Sequence, residues 1–598
     1  MKKILPVLFC AFVGLNACQS TQTENAPSAE GHKACAQLMA AYWEERLQLF
    51  PLEATAYGDN RYNDRLPVTI SDSYRARVAD FYQRYLNQIN ALKEVLSPED
   101  QQSIDLLRYD LQLGLDGLQF PSNQIPITQF WSFTLEFPQL GSGSGNQPFK
   151  SVQDYNHFLS RMHAFPQWVD TAILNMKKGI QNGYTLPRPL AEKVLPQLQQ
   201  VIAADVTNSI FYGPIAHFPD SISEESRKEL TAAYREAIAQ DINASYQKLV
   251  DFFKKEYIPA CRTTHGISSL PDGKAYYQYL IRLYTTTDLS ADSIYHLGLK
   301  EVDSLTMEMN KIRGQVGFQG DLPAFFSFMN RDRRFYPFHT AKEVLDSFWS
   351  VKNTIGPNLK KLFENEPKTR FEIRQTEAFR AASASAEYNP GSEDGSRPGI
   401  FYVPVLHPDS FNAIGMETLF LHEAIPGHHY QISLQQENTN LPSFRKFIGY
   451  SAYQEGWALY TETLGKELGI YKDPYQYFGH LSDAMHRAIR LVVDVAIHAK
   501  GMRREEAIAY MKAHERVSDA EAVSEIERYM AIPGQALSYK IGQITISRLK
   551  AQCKQHMGDR FSDAAFHTEV LKGGTLPLEL LEKNILSWTK TAKLQGDK

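Results

Sequence analysis

Cysteine is scarce in this chain of 598 residues: there are five, and two of them, Cys10 and Cys18, sit at the extreme amino end. The other three, Cys35, Cys261 and Cys553, are far apart in sequence, which allows one disulfide at most and excludes a cysteine metal site built by local spacing. Beyond the first segment, no stretch approaches the roughly 20 apolar residues that a transmembrane helix needs. Nor is charge of one sign in excess. A formal net charge of -5 is mild for this size and points to neither nucleic acid nor an anionic membrane surface as partner. No repeat of fixed period and no linker is visible after residue 31. What is present, 43% hydrophobic and 22% charged residues, is the composition of a large soluble enzyme with a sizeable core.

The first 18 residues read as a processing segment rather than structure. Lys2 and Lys3 form a basic start, Ile4 to Leu15 an apolar run, and Leu15-Asn16-Ala17-Cys18 resembles a bacterial lipobox. Cleavage there would leave Cys18 as a lipidated amino terminus, with the polar residues 19–31 as a tether; a plain secretory signal is the alternative. The lipobox reading places the body in the cell envelope, facing the periplasm or the cell surface, with a lipid anchor in the membrane.

The body is patterned as helix. Ser97-Pro98-Glu99-Asp100 is a helix start, followed by Ile104, Leu107, Leu111 and Leu115 at core-facing spacing, and residues 223–255 form another long helical segment. Strand signals are few: residues 370–374 and 399–403 predict a small sheet just before residue 420. The fold class is therefore mostly α. Residues 32–365 read as a helical amino-terminal part and 366–598 as a carboxy-terminal part that carries the chemistry, the two closing on each other.

That chemistry is concentrated in Leu421-His422-Glu423-Ala424-Ile425-Pro426-Gly427-His428-His429-Tyr430. A zinc-like ion takes imidazole and carboxylate ligands, and a hydrolytic site adds an acid to accept the proton of an attacking water. The familiar His-Glu-x-x-His step of four places both imidazoles on one helix face. Here the step is six or seven, which in a straight helix lands on the wrong side or about 10 Å further along the axis. Pro426-Gly427 offers a bulge that would bring His428 back. The structural alternative is a helix broken at Pro-Gly, with its two histidines satisfied by neighbours. Glu455 and Glu462 follow, seven apart on one helical face, so that one can reach an ion while the other orients a histidine.

With these motifs the chain resembles the bacterial domain-of-unknown-function 885 family, which carries His-Glu-x-x-Pro-Gly-His-His followed by Glu-Gly-Trp-Ala. The resemblance continues through Ser396–Val403, Arg490–Asp494 and Arg528–Tyr539. It implies a multi-helix, zincin-like fold with a deep cleft, related to gluzincin metallopeptidases. His422, His428 and Glu455 would hold one zinc ion, with His428 favoured over His429, and Glu423 would be the base. Tyr539 and Tyr529 are implied as phenols of the kind gluzincins place opposite the catalytic glutamate, within a segment that Arg528 opens.

From His486 to His498, the residues His486, Arg490, Asp494 and His498 recur every four positions on an otherwise apolar helix, so this polar stripe is expected inside the molecule. Arg490 either pairs with Asp494 or faces the cleft to grip a peptide carboxylate, with Arg528 and Tyr529 also on the substrate side, and His498 is a candidate oxyanion donor with Tyr539. The reading that results is a zinc peptidase acting on peptides in the cell envelope. Two alternatives use the same residues: an inactive lipid-anchored protein that binds peptides or other ligands on a peptidase scaffold, and a metallohydrolase of non-peptide substrates.

Overall fold

The structure, a computed structural model, describes residues 29–130, 132–376, 385–392, 395 and 397–596. The leader, the lipobox with Cys18, the tether up to residue 28, Trp131 and Ser396 lie outside the described residues. Helix starts at Ala29, so α1 (Ala29–Leu49) takes in the last three residues read as tether. After α2 (Asp72–Ala91), the predicted start at Ser97 opens α3 (Pro98–Leu118): the Ser97 hydroxyl accepts from the Asp100 N–H, and Ile104, Leu107 and Leu111 are buried. The predicted 223–255 segment is helical from the Ser223 cap onward but not uniformly α. Wider turns at Ile238–Asn243 and Phe253–Tyr257 interrupt it, and Leu230, Tyr234, Ala237 and Leu249 point inward throughout.

Next come α4 (Gly273–Thr285), α5 (Ala291–Gln315) and α6 (Ala341–Leu362), and then the single sheet of the described residues. Its strands are β1 (Phe371–Gln375), β2 (Glu387–Asn389) and β3 (Gly399–Val403), in the order β1-β3-β2. β3 is buried along its whole length, parallel to β1 and antiparallel to β2. The composition of 370–374 and 399–403 revealed the first and last of these, the first within one residue, whereas the three residues of β2 carry too little pattern to be read. The chain then runs through α7 (Met416–Glu423), α8 (His428–Glu437), α9 (Ser451–Glu462), α10 (Pro474–Lys500), α11 (Asp519–Ala531), α12 (Ser538–Met557) and α13 (Leu578–Gly596). The described residues are thus mostly α, and none of their helices is long and apolar enough to cross a membrane. Cys35, Cys261 and Cys553 are free thiols.

Two large apolar cores hold these elements together, and each draws on both sides of residue 365. One joins Tyr42, Phe81 and Leu107 of the first helices to Phe401, Phe420 and Trp457 around the sheet and to Ile585 of α13. The other joins Phe165, Trp168 and Phe253 to Val492, Val493 and Ile526. The long α10 serves both: Leu491 and Val495 face the first core, Val492 and Ile497 the second. Along its length α10 lies against α5 at Gly298, where a Cβ would come within 2.7 Å of the Leu491 Cβ. Only a residue without a side chain lets the two backbones approach that closely.

Candidate metal centre

The sheet leads into α7, whose buried face of Met416, Phe420 and Leu421 carries His422 into the interior at its last turn. The helix ends at Glu423, because Ala424 at φ -107°, ψ -106° has left the helical region. The expected bulge within one helix is instead a full break: a four-residue turn containing a cis Ile425–Pro426 bond, after which His428 opens α8. Gly427 is required by closeness. A Cβ there would lie 1.9 Å from the His422 carbonyl oxygen and 2.3 Å from that of Leu421. The turn is clamped from α9: the Trp457 indole N–H donates to the Pro426 carbonyl at 2.9 Å, and the Thr461 hydroxyl donates to the Leu421 carbonyl at 3.0 Å.

The break solves the spacing problem. His422 at the end of one helix and His428 at the start of the next face each other with ring centroids 4.9 Å apart and ring planes perpendicular. The Nε2 atoms of both point at one oxygen of Glu455, each at 3.5 Å. That separation is long for a hydrogen bond and close to the roughly 3.3 Å edge of a tetrahedron whose ligands lie about 2.0–2.1 Å from a central zinc. The three ligand atoms lie within 4.8 Å of one another, and no other such trio of His, Cys, Asp or Glu occurs among the described residues. The donor set fits a divalent zinc-like ion.

Glu462, two turns along α9, stands behind the first imidazole and bonds His422 Nδ1 at 2.7 Å, as its spacing from Glu455 predicted. Burial works to lower the His422 pKa, but Glu455 and Glu462 outweigh it and lift it to about 10. Glu455 is itself buried, yet the two imidazoles hold its carboxyl well below the usual range. A metal held here would compete with a proton for His422. Burial raises the neighbouring Glu423 carboxyl, against the pull of His422 and His428.

His429 turns the other way. Its Nδ1 meets the Tyr388 hydroxyl of β2 at 3.0 Å, its ring packs on Phe371 of β1, and burial pushes its pKa down to about 4. The structure brings His428, not His429, to Glu455.

The polar stripe of α10 is internal, but its contacts differ from the sequence reading. Arg490 does not pair with Asp494. Its Nε donates to the Tyr529 hydroxyl at 2.9 Å and its Nη2 to Glu525 at 3.1 Å, and its guanidinium lies 4.6 Å from the Tyr539 ring centroid. Asp494 accepts from the Tyr277 hydroxyl at 2.6 Å and from the Gly534 N–H at 3.1 Å. His498 has no contact with His422, His428 or Glu455. Its Nδ1 accepts from the Ile267 N–H at 3.1 Å and its Nε2 lies 2.9 Å from the Tyr529 carbonyl, so both nitrogens are committed to the backbone. Tyr529 is buried with its hydroxyl donated to Glu525, and Arg528 donates to Gln535.

Tyr539 is half-buried on α12, one turn before Gly542. There α12 crosses α9 so tightly that a Cβ on Gly456, next to Glu455, would lie 2.5 Å from the Gly542 Cα. Trp457, Thr461 and His480, whose Nδ1 lies 3.8 Å from Glu462, support the site without having been singled out from the sequence. The Trp in Glu-Gly-Trp-Ala was the available signal for the first.

Residues 51–585 match a family of bacterial proteins of unknown function, DUF885. Among solved structures, a candidate lipoprotein from Colwellia psychrerythraea superposes with a TM-score of 0.85 at 25% identity, over 94% of this chain and 99% of its own. A candidate lipoprotein of unknown function from Shewanella oneidensis does so with a TM-score of 0.73 at 20% identity, over 92% of this chain and 99% of its own. No curated protein matches the chain. Since the family match spans nearly the whole body, from α2 through the clamped histidine turn to α13, the chain belongs to the bacterial DUF885 family.

Proposed function

We propose that this protein is a zinc-dependent peptidase of the cell envelope. The observation that carries this reading is the convergence of His422 Nε2 and His428 Nε2 on one oxygen of Glu455, at 3.5 Å each, with Glu423 following His422 directly in the chain. A zinc ion held by these three side chains would supply Lewis acidity to a water and to the scissile carbonyl. Glu462 accepts a hydrogen bond from the Nδ1–H of neutral His422 and so keeps the Nε2 lone pair directed at the site. Glu423 accepts the proton of the attacking water on its carboxylate and returns it to the leaving amine nitrogen. Burial raises its pKa toward the range where one group does both. Tyr539 is assigned as the phenol donor to the developing oxyanion. β2 is an edge strand of the sheet, the kind of element to which an extended peptide adds, and its Tyr388 amide favours the charged form of Glu423. The lipobox-like Leu15-Asn16-Ala17-Cys18 and the two candidate lipoproteins of the same fold support an envelope location.

The test combines metal analysis with turnover of a peptide library. The purified chain is expected to hold about one zinc, Glu455→Ala to lose it, and Glu423→Gln to keep it while hydrolysis falls by about 10²–10⁴-fold. A Glu423→Gln variant with normal zinc and full peptidase activity removes this reading.

A further inference from the structure

A cavity of about 880 Å³ opens between α1, the amino end of α3, the loop that follows α8 and the last helix α13. It is separate from the metal centre, for none of His422, Glu423, His428 or Glu455 lines it. Trp43, Met39, Leu441 and Trp588 give it an apolar and aromatic wall. Arg445 lines it too, and Arg445 is an unusual residue to find there.

Its side chain is 2% exposed, yet among the described residues no carboxylate lies within ion-pairing distance. The guanidinium donates only to neutral acceptors: the Ser103 hydroxyl at 2.9 Å, the Gln102 amide oxygen at 2.7 Å and the Gly573 carbonyl. Its Nε is buried with no partner at all. Arg161, which does not line this cavity, is also buried among neutral acceptors, but every one of its nitrogens has one. The acids that line the cavity are otherwise engaged or open to water. Asp100 is held by His32 at 2.9 Å, Glu569 by Lys572 at 2.6 Å, and Glu99 is exposed. A buried cation without a counter-charge is costly, and burial pulls the Arg445 pKa down to about 10 against the opposing influence of Tyr450 and Tyr453.

We infer that this cavity binds a small organic anion, whose charge compensates Arg445 and whose aromatic or aliphatic body lies against Trp43 and Trp588. The size and the mix of apolar wall with few polar groups suit such a ligand.

Gly573 supplies an independent test. A Cβ there would stand 3.6 Å from Arg445 Nη2 and no nearer than 3.5 Å to anything else, so Gly573→Asp fits and sets a carboxylate beside the guanidinium. The probes are 8-anilinonaphthalene-1-sulfonate and its uncharged analogue N-phenyl-1-naphthylamine, titrated into the purified chain by calorimetry and fluorescence. The unaltered chain is expected to take one sulfonate and to bind it at least tenfold more tightly than the neutral analogue. Arg445→Gln and Gly573→Asp are each expected to weaken sulfonate binding at least tenfold, leave the neutral analogue unchanged, and in the case of Gly573→Asp raise the melting temperature. Equal binding of the two probes by the unaltered chain overturns the inference, as does unchanged sulfonate affinity in a folded Arg445→Gln. Should Arg445→Gln not fold, unchanged sulfonate affinity in Gly573→Asp overturns it alone.

Discussion

Glu462 is not one of the three converging side chains but stands behind His422, and its 2.7 Å hydrogen bond sets which imidazole nitrogen is available. Glu462→Gln keeps the shape and removes the charge, so it is expected to weaken zinc binding by about 10–100-fold without unfolding the chain. Competition against a chromogenic chelator measures this, and an unchanged affinity would show that the tautomer is set by something else. At this scale the sequence was informative wherever chemistry follows from spacing. Glu455 and Glu462, seven apart, had to share a helical face, and they do. It was uninformative wherever a side chain's role depends on which wall it meets. His428 and His429 are neighbours of one type, and only the position of Tyr388 and Phe371 sends one to the sheet and leaves the other to Glu455. Arg490 and Asp494 had the right spacing to pair, but Tyr529, Glu525, Tyr277 and Gly534, distant in sequence, offered each a partner of its own.

Among the elements, the crossing of α9 and α12 has the most direct consequence for the site. A Cβ on Gly542 would stand 1.9 Å from the Ala452 carbonyl, so Gly542→Ala must push the helices apart. Overpacking of this kind costs about 1–3 kcal/mol. Because Glu455 precedes Gly456 at the same crossing, the variant is expected to lose zinc affinity along with melting temperature. Calorimetry beside metal analysis would separate the two, and a fall in melting temperature with zinc unaffected would show that the crossing does not position Glu455.

The polar stripe of α10 yields a pH effect. Burial raises Asp494 to about 7, against the hydrogen bonds from Tyr277 and Gly534, while an unfolded aspartate titrates near 3.9. The folded chain therefore holds the extra proton between those values. This contribution to stability is complete below about 4 and is lost as pH rises through about 7. Asp494→Asn should remove it, so the stability margin of the unaltered chain over the variant, from denaturant titrations at a series of pH values, should shrink as pH rises from about 4 to about 7. An identical profile would contradict the assignment.

Over the whole molecule, the two cores make a division at residue 365 a matter of chain order rather than of independent folding. His567 is one of the ties: its Nδ1 bonds the Leu362 carbonyl at the end of α6 and its Nε2 the Tyr460 hydroxyl of α9, both at 2.7 Å. Burial depresses it to about 4, and His498 to about 3, whereas an unfolded histidine titrates near 6.5. The unfolded chain thus binds more protons between about pH 4 and 6.5, so the stability these histidines confer is present above 6.5 and lost as pH falls through about 4. His567→Gln is expected to be less stable at neutral pH and to show a shallower acid decline across that window by scanning calorimetry. An equally steep decline would mean that other groups govern the acid transition.

The sequence by itself determined the mostly helical fold, the caps that open its helices, the strands on either side of β2, and the residue types gathered around 422–462, because each of these follows from periodicity, turn chemistry or ligand preference over short stretches of chain. Only the tertiary structure decided that the step of six between His422 and His428 closes on one carboxylate oxygen. That outcome depends on a turn which Trp457 and Thr461 hold from another helix and on a glycine that leaves room for two carbonyls. It also decided that His498 serves the backbone and that Arg445 lies uncompensated in a cavity, since burial and partnership are properties of surfaces brought together from distant parts of the chain.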